Sequence, residues 1–437
     1  MSARRPDPAR RAAYDVLKAV RVDDAYSNLA LPGALRGHGL GGRDAGFATE
    51  LAAGTIRRQG SYDAILAACS DRPLANVQAK VLDILRLGCH QLLAMRVAPH
   101  AAISTSVDLV RSEVGPGAAK FANAVLRSVS RRDLDGWLDE LDADRATRYS
   151  HPMWVVEALT EAVGERQIEA LLAADNESPA VTLVARPGRA TRDELPGEPT
   201  PFSPYGVVSV GGDPGAVPAV AEGRAGVQDE GSQLVAVVLS AARVDGRDER
   251  WLDLCAGPGG KAALLAALAA ERGARLVANE RQPHRAELVR RTLAGAAGVE
   301  EVTVADGTDP PWEHGLFDRV LVDAPCSGLG ALRRRPEARW RRTPGDVTDL
   351  VPLQEALLGS ALDLVRPGGV VVYATCSPVL AETSGVVSAV LASRSDAALD
   401  PVPLDVPDSA GPLPDTVQLW PHRHHTDAMF IALLRRS

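Results

Sequence analysis

Five short apolar runs punctuate the second half of the chain, at residues 251–254, 276–278, 302–304, 320–322 and 370–373. They are continuous rather than alternating, as strands buried on both faces are, and helical segments separate them. That pattern confines residues 226–437 to a doubly wound α/β domain, whose ligands bind beyond the carboxyl ends of the strands. The residues just after each run are therefore the ones that carry information. The first run leads into Cys255-Ala256-Gly257-Pro258-Gly259-Gly260-Lys261. The fourth leads into Asp323-Ala324-Pro325-Cys326-Ser327-Gly328, and the fifth into Ala374-Thr375-Cys376-Ser377-Pro378.

Gly257-Pro258-Gly259-Gly260 falls between a strand and a helix predicted over 261–270. Glycine lets a backbone approach a ligand without a Cβ clash. The Gly-x-Gly-x-x-Gly spacing of dinucleotide sites is absent, because Ala262 or Ala263 stands where a third glycine would be sought. Acids recur at successive strand ends: Glu280, Asp306 and Asp323. An acid after the second strand suits two ribose hydroxyls, each a donor that needs an acceptor, and one after the third suits an adenine amino group. Little here cradles a pyrophosphate, so S-adenosylmethionine fits better than NAD. The expected cofactor set is Cys255, Ala256, Gly257, Pro258, Gly259, Gly260, Lys261, Glu280, Asp306 and Asp323.

The chain has five cysteines in 437 residues. An odd number spread this widely is not a disulfide framework. No Cys-x-x-Cys pair is present, and His422, His424 and His425 lack a partner at ligand spacing, so no metal is expected. A lone buried cysteine is ordinarily an inert small hydrophobe, the reading given to Cys69, Cys89 and Cys255. Cys326 and Cys376 differ, because both sit at strand tips beside the cofactor turn. Thiols there fit methyl transfer to carbon 5 of a pyrimidine, a carbon too electron-poor to attack a methyl donor until a nucleophile has added to the ring.

No apolar run of about 18 residues occurs, so no membrane span is expected, and Met1-Ser2-Ala3-Arg4-Arg5-Pro6 does not read as a secretory signal. A reducing cytoplasm suits the free thiols. The net charge of −8 argues mildly against nucleic acid. Local field matters more to a polyanion, however, and Arg333, Arg334, Arg335, Arg339, Arg341 and Arg342 crowd one stretch.

The length implies two or three domains. Over 1–140 apolar residues recur at helical spacing: Ala13, Val16, Leu17 and Val20; Leu51, Ala52 and Ile56; Val77, Val81, Ile84, Leu85 and Leu92; Ile103, Val107 and Val110; Phe121, Val125 and Val129. A bundle of five to seven helices is expected. From 145 to 225 the texture becomes a small α+β insert, with a helix opening near Met153 and running to about Leu172, a strand over 181–184, and a Pro- and Gly-rich stretch.

Pro99-His100-Ala101-Ala102-Ile103, Val107-Asp108-Leu109-Val110 and Lys120-Phe121-Ala122-Asn123-Ala124-Val125-Leu126-Arg127 resemble the NusB-like RNA-binding fold. The thiol motifs, Arg334-Arg335-Pro336-Glu337-Ala338-Arg339-Trp340 and Gln228-Asp229-Glu230-Gly231-Ser232-Gln233-Leu234 resemble the Sun/Nop family of RNA cytosine-C5 methyltransferases. The likeness is strongest to bacterial small-subunit rRNA members that carry a NusB-like N-terminal domain. It spans nearly the whole chain and implies a multi-domain protein: an all-α bundle, a small α+β RNA-binding insert and a Rossmann-like methyltransferase domain. It implies that Cys376 attacks carbon 6 of an unpaired or flipped cytosine, that Asp323 holds the base edge, and that Cys326 assists proton removal and release. DNA cytosine methyltransferases take their nucleophile from a Pro-Cys pair, so Pro325-Cys326 keeps the reverse assignment open. The arginines would grip RNA phosphates, Lys261 would open the helix after the cofactor turn, and Trp340 would stack a base or pack. A monomer acting on 16S rRNA is expected. The same chemistry on tRNA or another RNA, and a non-catalytic assembly factor, are the rivals. Two motifs depart from the family's common form: Cys255-Ala256-Gly257-Pro258 stands where Ala-Ala-Pro is commoner, and Asp427-Ala428-Met429-Phe430 where Gly and Phe are more usual.

Overall fold

The computed structural model describes residues 6–437, and the charged N-terminal segment at 1–5 lies outside the described residues. The chain divides into two units. One holds residues 6–178 together with Leu332–Arg341; the other holds Pro179–Ala331 and Arg342–Ser437.

In the first unit the five apolar stripes fall on the helices Pro8–Val22, Gly42–Arg57, Ala79–Leu93, Pro99–Glu113 and Pro116–Val129, except that Val77 precedes its helix, at the end of the turn Leu74–Asn76. Their inward residues, among them Leu51, Ile84, Leu109 and Leu126, make one core. Three further helices up to residue 140 left no readable stripe. Ser27–Gly37 buries only Ser27, Gln59–Cys69 follows its predecessor almost without a break, and Leu134–Glu140 has 7 residues. The helix expected from Met153 to about Leu172 is two, Met153–Val163 and Ile168–Ala174. It breaks at Gly164, whose φ of +84° suits glycine and stops the first helix.

Leu332–Arg341 packs among these helices. Arg339 is fully buried, and its guanidinium donates to the carbonyls of Arg57, Ser150 and Asp175 and to Asn176 Oδ1 at 2.8–3.2 Å. Trp340 packs on the bundle core and donates to the Ile56 carbonyl at 2.9 Å, so packing is the outcome for this ring. Glu337 accepts from the Ser27 hydroxyl at 2.6 Å, and Arg341 donates to the carbonyls of Val20, Asp24 and Ala25. Burial takes Arg333 and Arg339 out of the six-arginine surface expected from the sequence.

The second unit contains two sheets. The smaller is antiparallel, in order β2-β3-β1-β4, from β1 (Thr182–Ala185), β2 (Gly197–Pro199), β3 (Gly206–Ser209) and β4 (Ala225–Val227). The larger runs β10-β12-β9-β8-β5-β6-β7, from β5 (Arg250–Asp253), β6 (Arg275–Asn279), β7 (Val299–Thr303), β8 (Phe317–Asp323), β9 (Val365–Thr375), β10 (Ala397–Asp400) and β12 (Phe430–Arg436), with β11 (Val417–Gln418) beside β12. Four apolar runs lie within or across the ends of β5, β6, β8 and β9. The fifth strand begins earlier than 302, because β7 is an edge strand whose Glu300 and Glu301 face solvent and interrupt the apolar signal.

Strands β7, β6, β5, β8 and β9 are parallel, and β12 runs antiparallel to β9. The pleat sends Val370, Val372 and Ala374 to one face, with helices Glu230–Ala241 and Gly260–Glu271. Val371 and Tyr373 go to the other, with Pro344–Leu364 and Ser384–Ala392. Leu252 of β5 pairs with Val277 of β6 on one side and Val320 of β8 on the other. The chain thus leaves β5 in one direction and returns past it in the other, which opens a crevice above the tips of β5 and β8. Among the described residues no helix is long and apolar enough to cross a membrane.

Arg339→Met would leave buried carbonyls without donors and should destabilise the helical unit by roughly 3 kcal/mol or more. Denaturant unfolding checks this, and a loss under about 1 kcal/mol would contradict it.

Candidate active site

The glycine turn follows β5 directly. Gly257 lets the Glu280 carboxylate close on the turn: a Cβ there would lie 2.0 Å from Glu280 Oε2 and would push that side chain aside. The Arg285 guanidinium donates to the Gly257 carbonyl at 2.7 Å and pairs with Glu280 at 3.3 Å, which ties the turn to the tip of β6. Asn279 joins three tips. Its amide nitrogen donates to the carbonyls of Leu254 and Ala305, and its oxygen accepts from the Ala305 N–H and the Thr303 hydroxyl. Asp306, beyond β7, accepts from the Thr308 N–H and hydroxyl at 3.0 and 2.8 Å. Those bonds, the backbone one first, hold its carboxyl below the usual range.

Three ionisable groups meet above β5 and β8. Lys261 Nζ lies 2.9 Å from Asp323 Oδ2 and 3.5 Å from Ser232 Oγ. Burial by itself would lower the lysine pKa, but the Asp323 carboxylate, its hydrogen bond and negative charge at Cys376 together raise it. Lys261 is therefore a partly buried, charged residue. Asp253, the last residue of β5, is fully buried. Burial first, and the Asp323 charge second, push its carboxyl up to about 8.

The two thiols come together. Asp323 of β8 pairs with Ala374 of β9, so Cys326 and Cys376 leave adjacent strands at one level, and their sulfurs are 3.5 Å apart. The hydrogen bond with Cys376 first, then burial and nearby negative charge, push the Cys326 thiol well above the usual cysteine value. Gly330 knits the loops: its N–H donates to the Cys376 carbonyl at 2.9 Å, and its carbonyl accepts from the Ala428 N–H at 2.8 Å. A Cβ on Gly330 would stand 2.1 Å from the Ala428 carbonyl oxygen. Cys69, Cys89 and Cys255 are also free thiols, and burial pushes each of them upward.

S-adenosylmethionine can be tested against these residues. Its ammonium, ribose hydroxyls and adenine amine are donors, and Asp253, Glu280, Asp306 and Asp323 are acceptors around one turn. Asp253 Oδ2 and both amide atoms of Gln228 are buried without a hydrogen-bond partner among the described residues. Gln228 lies about 4 Å from where a Gly260 Cβ would stand. The acidic frame, the close-approach turn and these unsatisfied buried atoms fit the group. Sequence reading had singled out Glu280, Asp306, Asp323, Lys261 and both thiols. It did not assign roles to Asp253 or Gln228, although an acid ending the first strand was a usable signal for Asp253.

A family model described as 16S rRNA methyltransferase RsmB/F matches residues 243–435, and the NusB family model matches 7–131. A putative methyltransferase of Mycobacterium tuberculosis is 52% identical, over 99% of this chain and 98% of its own length. The probable ribosomal RNA small subunit methyltransferase B of Synechocystis is 33% identical, over 98% and 99%. The ribosomal RNA small subunit methyltransferase B of Pseudomonas syringae is 34% identical, over 94% and 92%. In fold, the chain is similar to the crystal structure of PH0851, with a TM-score of 0.83 at 23% identity and 99% of each chain covered.

Asp253 makes stability depend on pH in a specified direction. Its folded-state pKa lies above the ordinary carboxylate range. Between that range and about 8 the folded state holds a proton that the unfolded chain has released, so stability falls as pH rises through this window. Asp253→Asn removes that term. Its Tm relative to the parent protein should rise by several degrees from pH 5 to pH 8, at roughly 2–4 °C per kcal/mol. A pH-independent difference in Tm would contradict the assignment.

Proposed function

The chain belongs to the RsmB/F family of 16S rRNA methyltransferases, and we propose that it methylates carbon 5 of a cytosine in small-subunit rRNA through a covalent bond between Cys376 and the base. It is an S-adenosylmethionine-dependent RNA methyltransferase. The observation that carries the finer reading is the pair of thiols 3.5 Å apart beside the glycine turn and the Lys261–Asp323 pair.

Each residue has a chemical part. Cys376 adds to carbon 6, which makes carbon 5 nucleophilic. The Lys261 ammonium supplies positive charge where the Cys376 sulfur becomes anionic. Asp323, at the tip of β8, accepts from the base edge and stabilises the adduct. When bound, S-adenosylmethionine supplies an electrophilic methyl group on a sulfonium, and Asp253, Gly257, Glu280 and Asp306 would hold it. Cys326, as a thiolate, then takes the carbon 5 proton, the carbon 6–sulfur bond breaks with its electron pair returning to Cys376, and the ring regains its aromaticity. Cys326 suits this second half, because the hydrogen bond with Cys376 that chiefly raises its pKa is lost once Cys376 is bonded to carbon 6, so Cys326 can then give its own proton to solvent and serve as the base. Partly exposed Arg334, Arg335 and Arg342 remain the arginines suited to RNA phosphates, since the Arg341 guanidinium is taken up by Val20, Asp24 and Ala25. The bundle and the small sheet would present the rRNA.

The role split is tested by incubating 16S rRNA transcript and S-adenosylmethionine with single variants and resolving the products on denaturing gels. Cys326→Ala should accumulate a protein–RNA adduct, because attack proceeds and release fails. Cys376→Ala should form neither adduct nor 5-methylcytosine. An adduct with Cys376→Ala would reverse the assignment.

A further inference from the structure

Glu382 lies outside every motif discussed so far, yet it is fully buried directly behind the two thiols. Its carboxylate accepts four hydrogen bonds. Oε1 takes the Ser327 N–H at 2.7 Å and Gln354 Nε2 at 3.1 Å; Oε2 takes the hydroxyls of Ser327 at 2.5 Å and Ser377 at 2.6 Å. Ser327 immediately follows Cys326, and Ser377 immediately follows Cys376. The two hydroxyls also lie 3.0 Å from each other. Gln354 reaches on to the Pro325 carbonyl at 2.9 Å, and the Tyr373 hydroxyl donates to the Glu382 carbonyl at 2.8 Å. One carboxylate thus grips the residue after each cysteine and, through Gln354, the residue before one of them.

A buried carboxylate is costly unless fully hydrogen-bonded, and removing it would strand several donors at once. Among the described residues its carboxylate is met by two hydroxyls, an amide and a backbone N–H rather than by a cation, so a stabilising ion pair does not explain its place. We propose that Glu382 is the positioning residue that sets the spacing of the two catalytic thiols, holding Cys326 within reach of the Cys376 adduct so that release follows attack. The proposal rests on the two-thiol reading above. Its test separates the two by reading the spacing without RNA.

A trivalent arsenical bridges two thiols at this separation, forming two arsenic–sulfur bonds and releasing water. Phenylarsine oxide should therefore bind the full chain tightly and block labelling of both cysteines. Glu382→Ala should weaken that binding at least tenfold. It should also lower kcat for rRNA methylation about 100-fold, with KM for RNA within about twofold, and accumulate adduct, since a small misplacement of a reacting group costs about that much. Glu382→Gln keeps the shape, because both serine hydroxyls can accept from the new amide, and should recover both arsenical binding and release. Ser377→Ala removes the carboxylate's link to the Cys376 loop, together with the hydroxyl's contacts with Ser327 and the Val379 N–H, and should weaken arsenical binding as well; it carries the test if Glu382→Ala does not fold. Unchanged arsenical binding in the folded Glu382→Ala and Ser377→Ala proteins would overturn the proposal. Weakened binding with undiminished methylation would uphold the positioning role and overturn the two-thiol reading instead.

Discussion

The register between β8 and β9 is the constraint from which the site follows. Asp323 opposite Ala374 places an acid, a thiol and a second thiol at one height above the sheet. Parallel pairing fixes that height through evenly spaced backbone bonds. The pleat sends Val371 and Tyr373 to one helical layer and Val372 and Ala374 to the other, so a one-residue slip would turn every side chain to the wrong face. Core packing on both faces therefore protects the 3.5 Å separation of the sulfurs.

Around those tips the protein buries groups that a stability optimum would leave in water. Lys261 and Asp323 form a partly buried pair, Asp253 is held near a pKa of about 8, and Glu382 sits behind the thiols with four donors. Buried ionic groups are weak devices for stability and strong ones for arranging charge. Their gathering at one end of the sheet, at the switch point, is the physical mark of a site. Arg339 shows the contrasting use. It is also fully buried, but carbonyls and one amide surround it, and it holds a short segment against helices.

Much of this was legible in the sequence, for local reasons. Continuous apolar runs announced buried parallel strands, and the residues after them had to be the tips. The glycine turn, Glu280, Asp306, Asp323, Cys326 and Cys376 all follow from that. The arginine stretch misled because charge density along a chain says nothing about what folds over it. Arg339 is indistinguishable from Arg334 until the helices that surround it are in place. Glu382 and Asn279 were unreadable for a related cause, since their partners are mostly far away in sequence: Ser327 lies 55 residues from Glu382, and Leu254 lies 25 from Asn279. The helix break at Gly164 had a local signal, but an apolar stripe on both sides concealed it.

The central claim is a reaction on a particular nucleic acid. Bisulfite sequencing of rRNA and tRNA from cells with and without this gene tests it most directly. The account predicts the loss of one 5-methylcytosine in small-subunit rRNA, with tRNA unchanged. A loss confined to tRNA would keep the chemistry and contradict the substrate, and an unchanged pattern in both would contradict the account.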